Sequence, residues 1–223
     1  MIYETTVETP YQAWKNVLKT VFADSVVKLK DVGVIGNCKT LNGIIVTEIQ
    51  RPTDIIQKNP LYGQMFIDEY KTQFLNPDPK GFEYTYGQRL CEYMDSDLIS
   101  SANQIDYIIR ELKRNKNSRR AQAITWNPFF DTDEYYKNVE DVPCLQLVRC
   151  VIVRGRLNME VVFRSHDMLK GYYPNVLGLS YLMDYIVKEV GGVTKGYLRV
   201  VSMSPHVYLS DRDVFKAVTG GYL

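Results

Sequence analysis

The chain has 223 residues and a formal net charge of +1, with 45% hydrophobic and 24% charged residues. This composition is typical of a globular protein, and the near-zero net charge gives no whole-protein attraction to nucleic acid or to an anionic membrane. No segment approaches the roughly 18 consecutive apolar residues that a membrane helix needs, and the first residues lack the basic and apolar regions of a signal peptide.

The first half of the chain is predicted to alternate helices with extended segments. Thr9 suits an N-cap and Pro10 the first position of a helix. Asn42-Gly43 is a turn dipeptide between two segments that can extend, which predicts a β-hairpin. In chain order we predict a helix at 10–22, strands at 25–29 and 43–49, a loop at 51–60, a helix at 65–75 that the prolines at 77 and 79 stop, a short aromatic segment at 83–89 and a helix at 99–113.

The second half is predicted to consist mainly of strands around one long helix. Gly191-Gly192 ends that helix, and Arg154-Gly155-Arg156 makes a turn between two apolar strands. No internal repeat or low-complexity linker separates the halves, so a single α+β domain over 1–223 is predicted. The predicted elements are strands at 121–126, 145–153 and 157–163, a helix at 176–190, and a strand at 197–203 that leads into 205–208.

The segment 33–40 nearly matches the phosphate loop G-x-x-x-x-G-K-[ST]. Cys38 stands where the second glycine is required, and an Asn-Gly turn with a β run follows Thr40 instead of a helical pattern. Because that loop binds phosphate with the backbone amides at the start of a helix, the segment is predicted to be a turn.

The four cysteines are scattered, without a CxxC pair, which argues against a zinc site and against a secreted disulfide framework. We therefore predict a cytoplasmic location, reduced thiols and no bound metal. Cys150, in the middle of an apolar strand, suits a buried small hydrophobe. Cys144 begins that strand after Pro143, and it is either buried in the same way or a nucleophile, which would need positive charge nearby.

The basic residues offer two places for an anion. Arg119 and Arg120 follow Ser118 between a helix and a strand, and they are either solvated surface residues or a phosphate clamp. Arg164 directly follows an apolar strand, so its backbone is expected to be partly buried and its guanidinium to need an anion.

Three polar residues near the end of the chain suit a nucleoside. His206 and Tyr208 are two apart in an extended segment, so their side chains can project to the same side, as a satisfied core pair or as ligands of a sugar hydroxyl. Asn175 follows Pro174 at the start of the long helix, where it is either a helix cap or a group that binds the edge of a base. His166 has no partner in any motif.

The order of these pieces resembles the thymidylate synthase family in a short archaeal-type version. The resemblance is carried by Ser-Arg-Arg at 118–120, Pro-Cys at 143–144, Arg-Ser-His-Asp at 164–167 with Gly171 and Asn175 after it, and His-x-Tyr at 206–208. It implies a thymidylate synthase/dCMP hydroxymethylase-like α+β fold with a large mixed β-sheet flanked by helices, and a homodimer through that sheet.

The resemblance also implies a role for each site residue. Cys144 is expected to attack C6 of the uracil of dUMP, and Asn175 to bind the base edge, since family members that act on dCMP have Asp there. The other implied roles are phosphate binding by Arg164 and Ser165, phosphate binding by Arg119 and Arg120 of the partner subunit, positioning of the pyrimidine by Asp167, contacts to the ribose 3′-hydroxyl by His206 and Tyr208, and proton handling by Tyr86.

The sequence departs from the family pattern at several places. Leu145 stands where the family usually has His, and Phe163 where it has Gln. Lys39 is a weak substitute for the amino-terminal Arg-Thr-Gly loop, and Glu69 is the candidate for the family's buried glutamate. The resemblance leads us to expect that the family's carboxy-terminal segment, which closes over the folate, is missing or replaced by 218–223.

We therefore expect a methyltransferase that converts dUMP to dTMP with methylene-tetrahydrofolate or a modified donor such as methylene-tetrahydromethanopterin. Because water that reaches the exocyclic carbon would give a hydroxymethyl product, a dUMP hydroxymethylase is the first alternative. A catalytically silent dUMP-binding or regulatory protein is the second. No membrane or DNA partner is expected.

Overall fold

The computed structural model describes residues 1–22, 32–52, 59–79, 81–95, 99–132 and 141–221. The helices within these ranges are α1 Pro10–Phe22, α2 Gln64–Thr72, α3 Tyr86–Cys91, α4 Gln104–Arg114, α5 Pro128–Asp131, α6 Tyr172–Val190 and α7 Arg212–Thr219, with 3₁₀ turns at Gln73–Leu75 and Leu209–Asp211. The strands are β1 Ile2–Val7, β2 Val32–Ile35, β3 Cys38–Leu41, β4 Ile44–Ile49, β5 Tyr93–Met94, β6 Ser101–Ala102, β7 Gln122–Ile124, β8 Leu145–Val153, β9 Arg156–Phe163, β10 His166–Asp167, β11 Thr194–Ser202 and β12 Pro205–Tyr208.

A six-stranded sheet in the order β1-β4-β11-β9-β8-β7 forms the centre of the fold. It is mixed, because β1 and β4 are parallel, β11 and β9 are parallel, and the other neighbouring pairs are antiparallel. A smaller sheet has the order β10-β12-β3-β2, and β5 pairs with β6. The predicted α+β class with a large mixed sheet flanked by helices is confirmed. Within the described residues, no helix is long and apolar enough to cross a membrane.

One face of the large sheet is covered by helices, and α6 lies at the centre of that layer. Its side chains Leu179, Leu182 and Met183 are fully buried, as the predicted apolar stripe requires. Helix α1 packs beside it, and the indole of Trp14 donates a hydrogen bond to the carbonyl oxygen of Leu169 at 3.1 Å. The helical layer therefore fixes the turn that leads into α6.

Helix α2, together with the 3₁₀ turn Gln73–Leu75 that continues it, crosses α6 at very short range. A Cβ atom on Gly178 would lie 2.2 Å from Cε2 of Phe74, so only glycine allows the aromatic ring to lie against the α6 backbone. Phe74 is itself buried. Because Phe74 and Tyr70 are four residues apart, and Gly178 and Asn175 three apart, the same approach brings Tyr70 to Asn175.

The hairpin predicted at Asn42-Gly43 is wrong. The strands on either side, β3 and β4, belong to different sheets, so the dipeptide carries the chain from one sheet to the other. The hairpin lies one strand earlier, where β2 and β3 pair and Gly36 at the turn has a φ of +60°. This hairpin occupies the segment 33–40, where a turn was predicted in place of a phosphate loop.

Several other boundaries differ from the predictions. The helix predicted at 99–113 begins at Gln104, because the Asn103 side chain caps it by accepting from the Asp106 N–H at 2.9 Å. Part of the aromatic segment at 83–89 forms α3, which the Thr85 side chain caps. The predicted strand 25–29 and residues 53–58 of the predicted loop lie outside the described residues.

The long helix begins four residues earlier than predicted, at Tyr172. Asn175 therefore lies inside the helix, and the interpretation of Asn175 as a helix cap is wrong. Pro174 is accommodated because the first turn of a helix does not use its N–H groups.

Candidate active site

The candidate site begins where the antiparallel strands β8 and β9 end side by side. Leu145 pairs with Phe163, which brings the residue before β8 next to the residue after β9. The backbone N–H of Arg164 donates to the carbonyl oxygen of Cys144 at 2.9 Å. The predicted nucleophile and the predicted phosphate ligand are therefore neighbours, although 20 positions separate them in the sequence.

The side chain of Arg164 folds back over the segment that carries Cys144. Its Nε donates to the carbonyl oxygen of Pro143 at 2.9 Å, and its Nη2 donates to that of Val142 at 2.8 Å. Burial raises the pKa of the half-buried Cys144 thiol, the guanidinium of Arg164 opposes this, and the carboxylates of Asp141 and Asp167 add to it. Arg164 is thus the positive charge that a reactive thiol requires.

Three tyrosine hydroxyls surround the Cys144 segment. Tyr86 accepts a hydrogen bond from the Leu145 N–H at 3.4 Å, and the backbone of Cys144 lies close enough to the Tyr84 hydroxyl to oppose the rise in its pKa that burial causes. Tyr70 is close enough for the charges of its hydroxyl and of the Cys144 thiol to interact. Burial raises the pKa of all three phenols, so they are neutral hydroxyl groups at ordinary pH.

A chain of polar contacts connects Tyr70 to the interior. The Tyr70 hydroxyl donates to Oδ1 of Asn175 at 2.6 Å, and Nδ2 of Asn175 lies 3.3 Å from Nε2 of His166. His166 Nδ1 in turn lies 2.9 Å from the Ser202 hydroxyl. The imidazole is stacked on the Phe163 ring, with centroids 3.9 Å apart. Burial, followed by the charge of His206, lowers the pKa of His166 to about 3.

Asp167 and Asn175 both lie close to Gly171. A Cβ atom on Gly171 would be 3.5 Å from Cβ of Asp167 and 3.7 Å from Nδ2 of Asn175. Asp167 Oδ1 accepts from the backbone N–H groups of Leu169 and Lys170 at 2.9 and 3.1 Å. Burial nevertheless raises the pKa of Asp167, and these two hydrogen bonds oppose the shift.

The predicted sugar-binding pair lies on the strand beside Asp167. Asp167 is opposite His206 in the β10–β12 pair, and the rings of His206 and Tyr208 are edge to face with centroids 5.3 Å apart. His206 Nδ1 lies 3.0 Å from the carbonyl oxygen of Ser204, so it carries the proton and leaves Nε2 as an acceptor in the neutral ring. Lys39 lies on the neighbouring strand β3, opposite Val207.

Arg119 and Arg120 are both exposed, on the link between α4 and β7. The link is held by Ser118, which is buried and donates to Oε1 of Glu111 at 2.6 Å. Within this single chain these arginines are surface residues, and Ser165 is half-buried between Arg164 and His166. Glu69 is exposed on α2, so the structure contradicts its assignment as a buried glutamate.

The sequence analysis missed Tyr70, Tyr84 and the contacts of His166. For Tyr70 a signal was present: Tyr62, Phe66, Tyr70 and Phe74 recur every fourth residue, and their neighbouring rings stack or meet edge to face at 4.8–6.2 Å. For His166 the sequence gave no comparable signal, because its partner Ser202 lies 36 positions away and its contact with Asn175 depends on the turn that joins β10 to α6.

Comparison with known proteins points to one family. The thymidylate synthase family model matches residues 54–218. A relative from Methanocaldococcus jannaschii is 43% identical over 170 residues, 75% of this chain and 74% of the relative, and one from Methanosarcina barkeri is 36% identical over 76% of this chain and 73% of the relative. A relative from Methanothermobacter marburgensis is 41% identical over 64% of this chain, a match that spans only 58% of the relative. All three bear the name "Putative thymidylate synthase". The chain belongs to the thymidylate synthase family.

Proposed function

We propose that this chain is a thymidylate synthase that methylates C5 of dUMP through a covalent adduct with Cys144. The observation that carries the proposal is the position of the Cys144 thiol beside the Arg164 guanidinium, with Tyr70 linking the same site to the amide of Asn175. A thiol, a cation and a base-binding amide in one place are what addition to a pyrimidine ring needs.

The bonds that form and break in this reaction define the roles of Cys144 and Asn175. Once its proton has left to solvent, the Cys144 sulfur bonds to C6, and the π electrons of the C5–C6 bond move to C5 and O4. An amide N–H of Asn175 stabilises the charge that develops on O4. C5 then bonds to the one-carbon unit and loses its proton, and the bond from that carbon to the pterin nitrogen breaks to leave an exocyclic methylene. Hydride addition to this methylene restores the C5–C6 double bond and expels the sulfur from C6 as the thiolate. A reduced pterin, methylene-tetrahydrofolate or methylene-tetrahydromethanopterin, supplies the carbon and the hydride that makes it a methyl group.

The nucleotide is expected to lie along the strand ends. Arg164 uses Nε and Nη2 on backbone carbonyls, so we assign its Nη1 to the phosphate, together with the hydroxyl of Ser165. Nε2 of His206 can accept from the ribose 3′-hydroxyl, and the Tyr208 hydroxyl lies on the same side of the strand. We assign Asp167, which like Asn175 lies beside Gly171, to hold the pyrimidine ring.

A homodimer through the large sheet is part of the proposal. The face of this sheet that the described helices leave uncovered carries half-buried Val46, Val162 and Val201, and Arg199, which pairs with Glu48 and Glu160. Half-buried apolar side chains on a broad sheet face favour burial against a second copy. In that dimer we assign the exposed Arg119 and Arg120 to the phosphate in the partner's site.

The dimer has its own test, which is mixing of two inactive variants. A Cys144→Ser chain keeps its arginines, and an Arg119→Ala/Arg120→Ala chain keeps its thiol. Refolding the two together should restore activity, because a mixed dimer contains one site with both parts intact. A mixture that stays as inactive as either variant alone would contradict sharing of the arginines.

The proposed reaction is tested with dUMP tritiated at C5. The enzyme with a one-carbon donor should release tritium to water, and the Cys144→Ser variant should not. Cys91→Ser is the matched control, because Cys91 is a half-buried thiol whose Sγ lies 3.9 Å from the Phe74 carbonyl oxygen, and it should retain release. Absence of release from the wild type with either pterin would favour a silent nucleotide-binding protein. Product mass separates a methyl from a hydroxymethyl group.

A further inference from the structure

The amide of Asn175 is held from both sides. Tyr70 donates to its oxygen at 2.6 Å, and its nitrogen lies 3.3 Å from Nε2 of His166. Tyr70 lies outside the family motifs and His166 stands at the position of the 164–167 motif to which no role was assigned, and they reach the amide from different elements, α2 and β10. Asn175 is buried, with 6% of its surface exposed, so these two contacts decide which way its amide faces.

The hydrogen-bonding capacity of the amide shows what remains for a ligand. An asparagine side chain has two N–H donors and two acceptor lone pairs. Tyr70 uses one lone pair and His166 uses one N–H, which leaves one donor and one acceptor side by side. Uracil presents the matching pair, an acceptor at O4 and a donor at N3. Cytosine presents the opposite pair, a donor at N4 and an acceptor at N3.

His166 is held in the state that accepts from the amide. It is 2% exposed, stacked on Phe163 and adjacent to the ring of Tyr172, so its surroundings favour the neutral imidazole. With Nε2 accepting from Asn175, the ring proton lies on Nδ1 and is donated to the Ser202 hydroxyl.

We propose that Tyr70 and His166 are positioning residues that fix the Asn175 amide in the orientation complementary to uracil, and that they thereby set the preference for dUMP over dCMP. This inference depends on the proposed function, in which Asn175 contacts the base. Rotation of the amide by half a turn would give the pattern that suits cytosine. That rotation requires both neighbours to exchange donor and acceptor roles, and removal of either neighbour's polar atom relaxes this constraint.

The test is the ratio of dCMP to dUMP dissociation constants, measured by calorimetry. Tyr70→Phe removes one oxygen atom and should lower this ratio about tenfold or more, which corresponds to ~1.4 kcal/mol. His166→Phe keeps a flat ring against Phe163 but removes the contact to the amide nitrogen of Asn175, and it should also lower the ratio. General damage to the site would weaken the binding of both nucleotides equally and leave the ratio of their dissociation constants unchanged. A lower ratio therefore reports a change in preference and not damage.

Tyr62→Phe is the matched control, since Tyr62 lies on the same aromatic row and donates to the carbonyl oxygen of Lys170 at 2.5 Å instead of to Asn175. It should leave the ratio at the wild-type value. Equal weakening of both nucleotides in Tyr70→Phe and His166→Phe, or no change in either, would overturn the inference. Asn175→Asp distinguishes a failure of this inference from a failure of the proposed function. If Asn175→Asp shifts the ratio and the positioning variants do not, only this inference fails. If Asn175→Asp leaves the ratio unmoved, the base-binding role in the proposed function fails.

Discussion

Acidification from pH 7 to pH 5 is expected to destabilise the protein through His166. Its pKa in the folded chain is about 3, because burial disfavours the charged ring, whereas an unfolded histidine has a pKa of about 6.5. Between these two values the unfolded chain binds one proton more than the folded chain. The free energy of unfolding therefore decreases as the pH falls below about 6.5, and the decrease levels off below the folded value.

The magnitude at pH 5 depends almost entirely on the unfolded pKa, because pH 5 is well above the folded one. Each pH unit below the unfolded pKa costs about 1.4 kcal/mol, so His166 alone should remove about 2 kcal/mol between pH 7 and pH 5. For a chain of this length that corresponds to a melting temperature lower by roughly 4–8 °C.

The assay is urea unfolding of the wild type and of His166→Phe at pH 7, 6 and 5, at a fixed protein concentration. Groups common to both proteins cancel in the difference, including the carboxyls of Asp141 and Asp167, whose pKa values burial raises. The variant should therefore lose about 2 kcal/mol less than the wild type over this range. Parallel pH dependences for the two proteins would refute the assignment of a neutral, buried His166.

Three other substitutions test the packing and the charge of the site. Arg164→Gln should slow alkylation of Cys144 by iodoacetamide at pH 8 several-fold, because the thiolate loses its cation; peptide mass mapping measures this, and an unchanged rate would contradict the charge effect. Gly178→Ala places a Cβ 2.2 Å from the Phe74 ring and should cost about 1–3 kcal/mol in urea unfolding, whereas a wild-type midpoint would show that α2 and α6 are not in such close contact. Gly87→Ala puts a Cβ about 2 Å from two backbone carbonyl oxygens. It should destabilise the protein at least as much as Gly178→Ala in the same assay, because backbone cannot move aside as a side chain can. A smaller loss of unfolding free energy than for Gly178→Ala would contradict this.

The elements that the sequence predicted well are those whose signal is local. Strand β8 was predicted with its observed bounds because an apolar run begins after Pro143 and ends before a turn. Helix α1 likewise follows from a cap, a first-turn proline and one apolar stripe. The failed hairpin at Asn42-Gly43 shows the limit: β4 pairs with β1 and β11, which lie on opposite sides of it in the chain, and a turn dipeptide carries no information about those partners.

The residues of the candidate site also fall into those that the sequence predicted and those that only the packed structure shows. Motif residues such as Cys144 and Arg164 were predictable because their spacing in the sequence matches a known family. The Tyr70–Asn175 contact joins residues 105 positions apart and depends on how closely α2 approaches α6. That distance is set by the lack of a side chain at Gly178, a property of the packed helices that no local pattern expresses.

The two departures from the family pattern that flank the site now have a common physical explanation. Leu145 and Phe163, which stand where the family usually has polar side chains, have no exposed surface and lie opposite each other in the β8–β9 pair. A polar side chain there would need a buried partner, whereas the Leu145 backbone N–H already donates to Tyr86 and the Phe163 ring already stacks on His166. Among the described residues, the hydroxyls of Tyr70, Tyr84 and Tyr86 supply polar groups that interact with the Cys144 thiol, so this part of the site does not depend on a polar side chain at position 145 or 163.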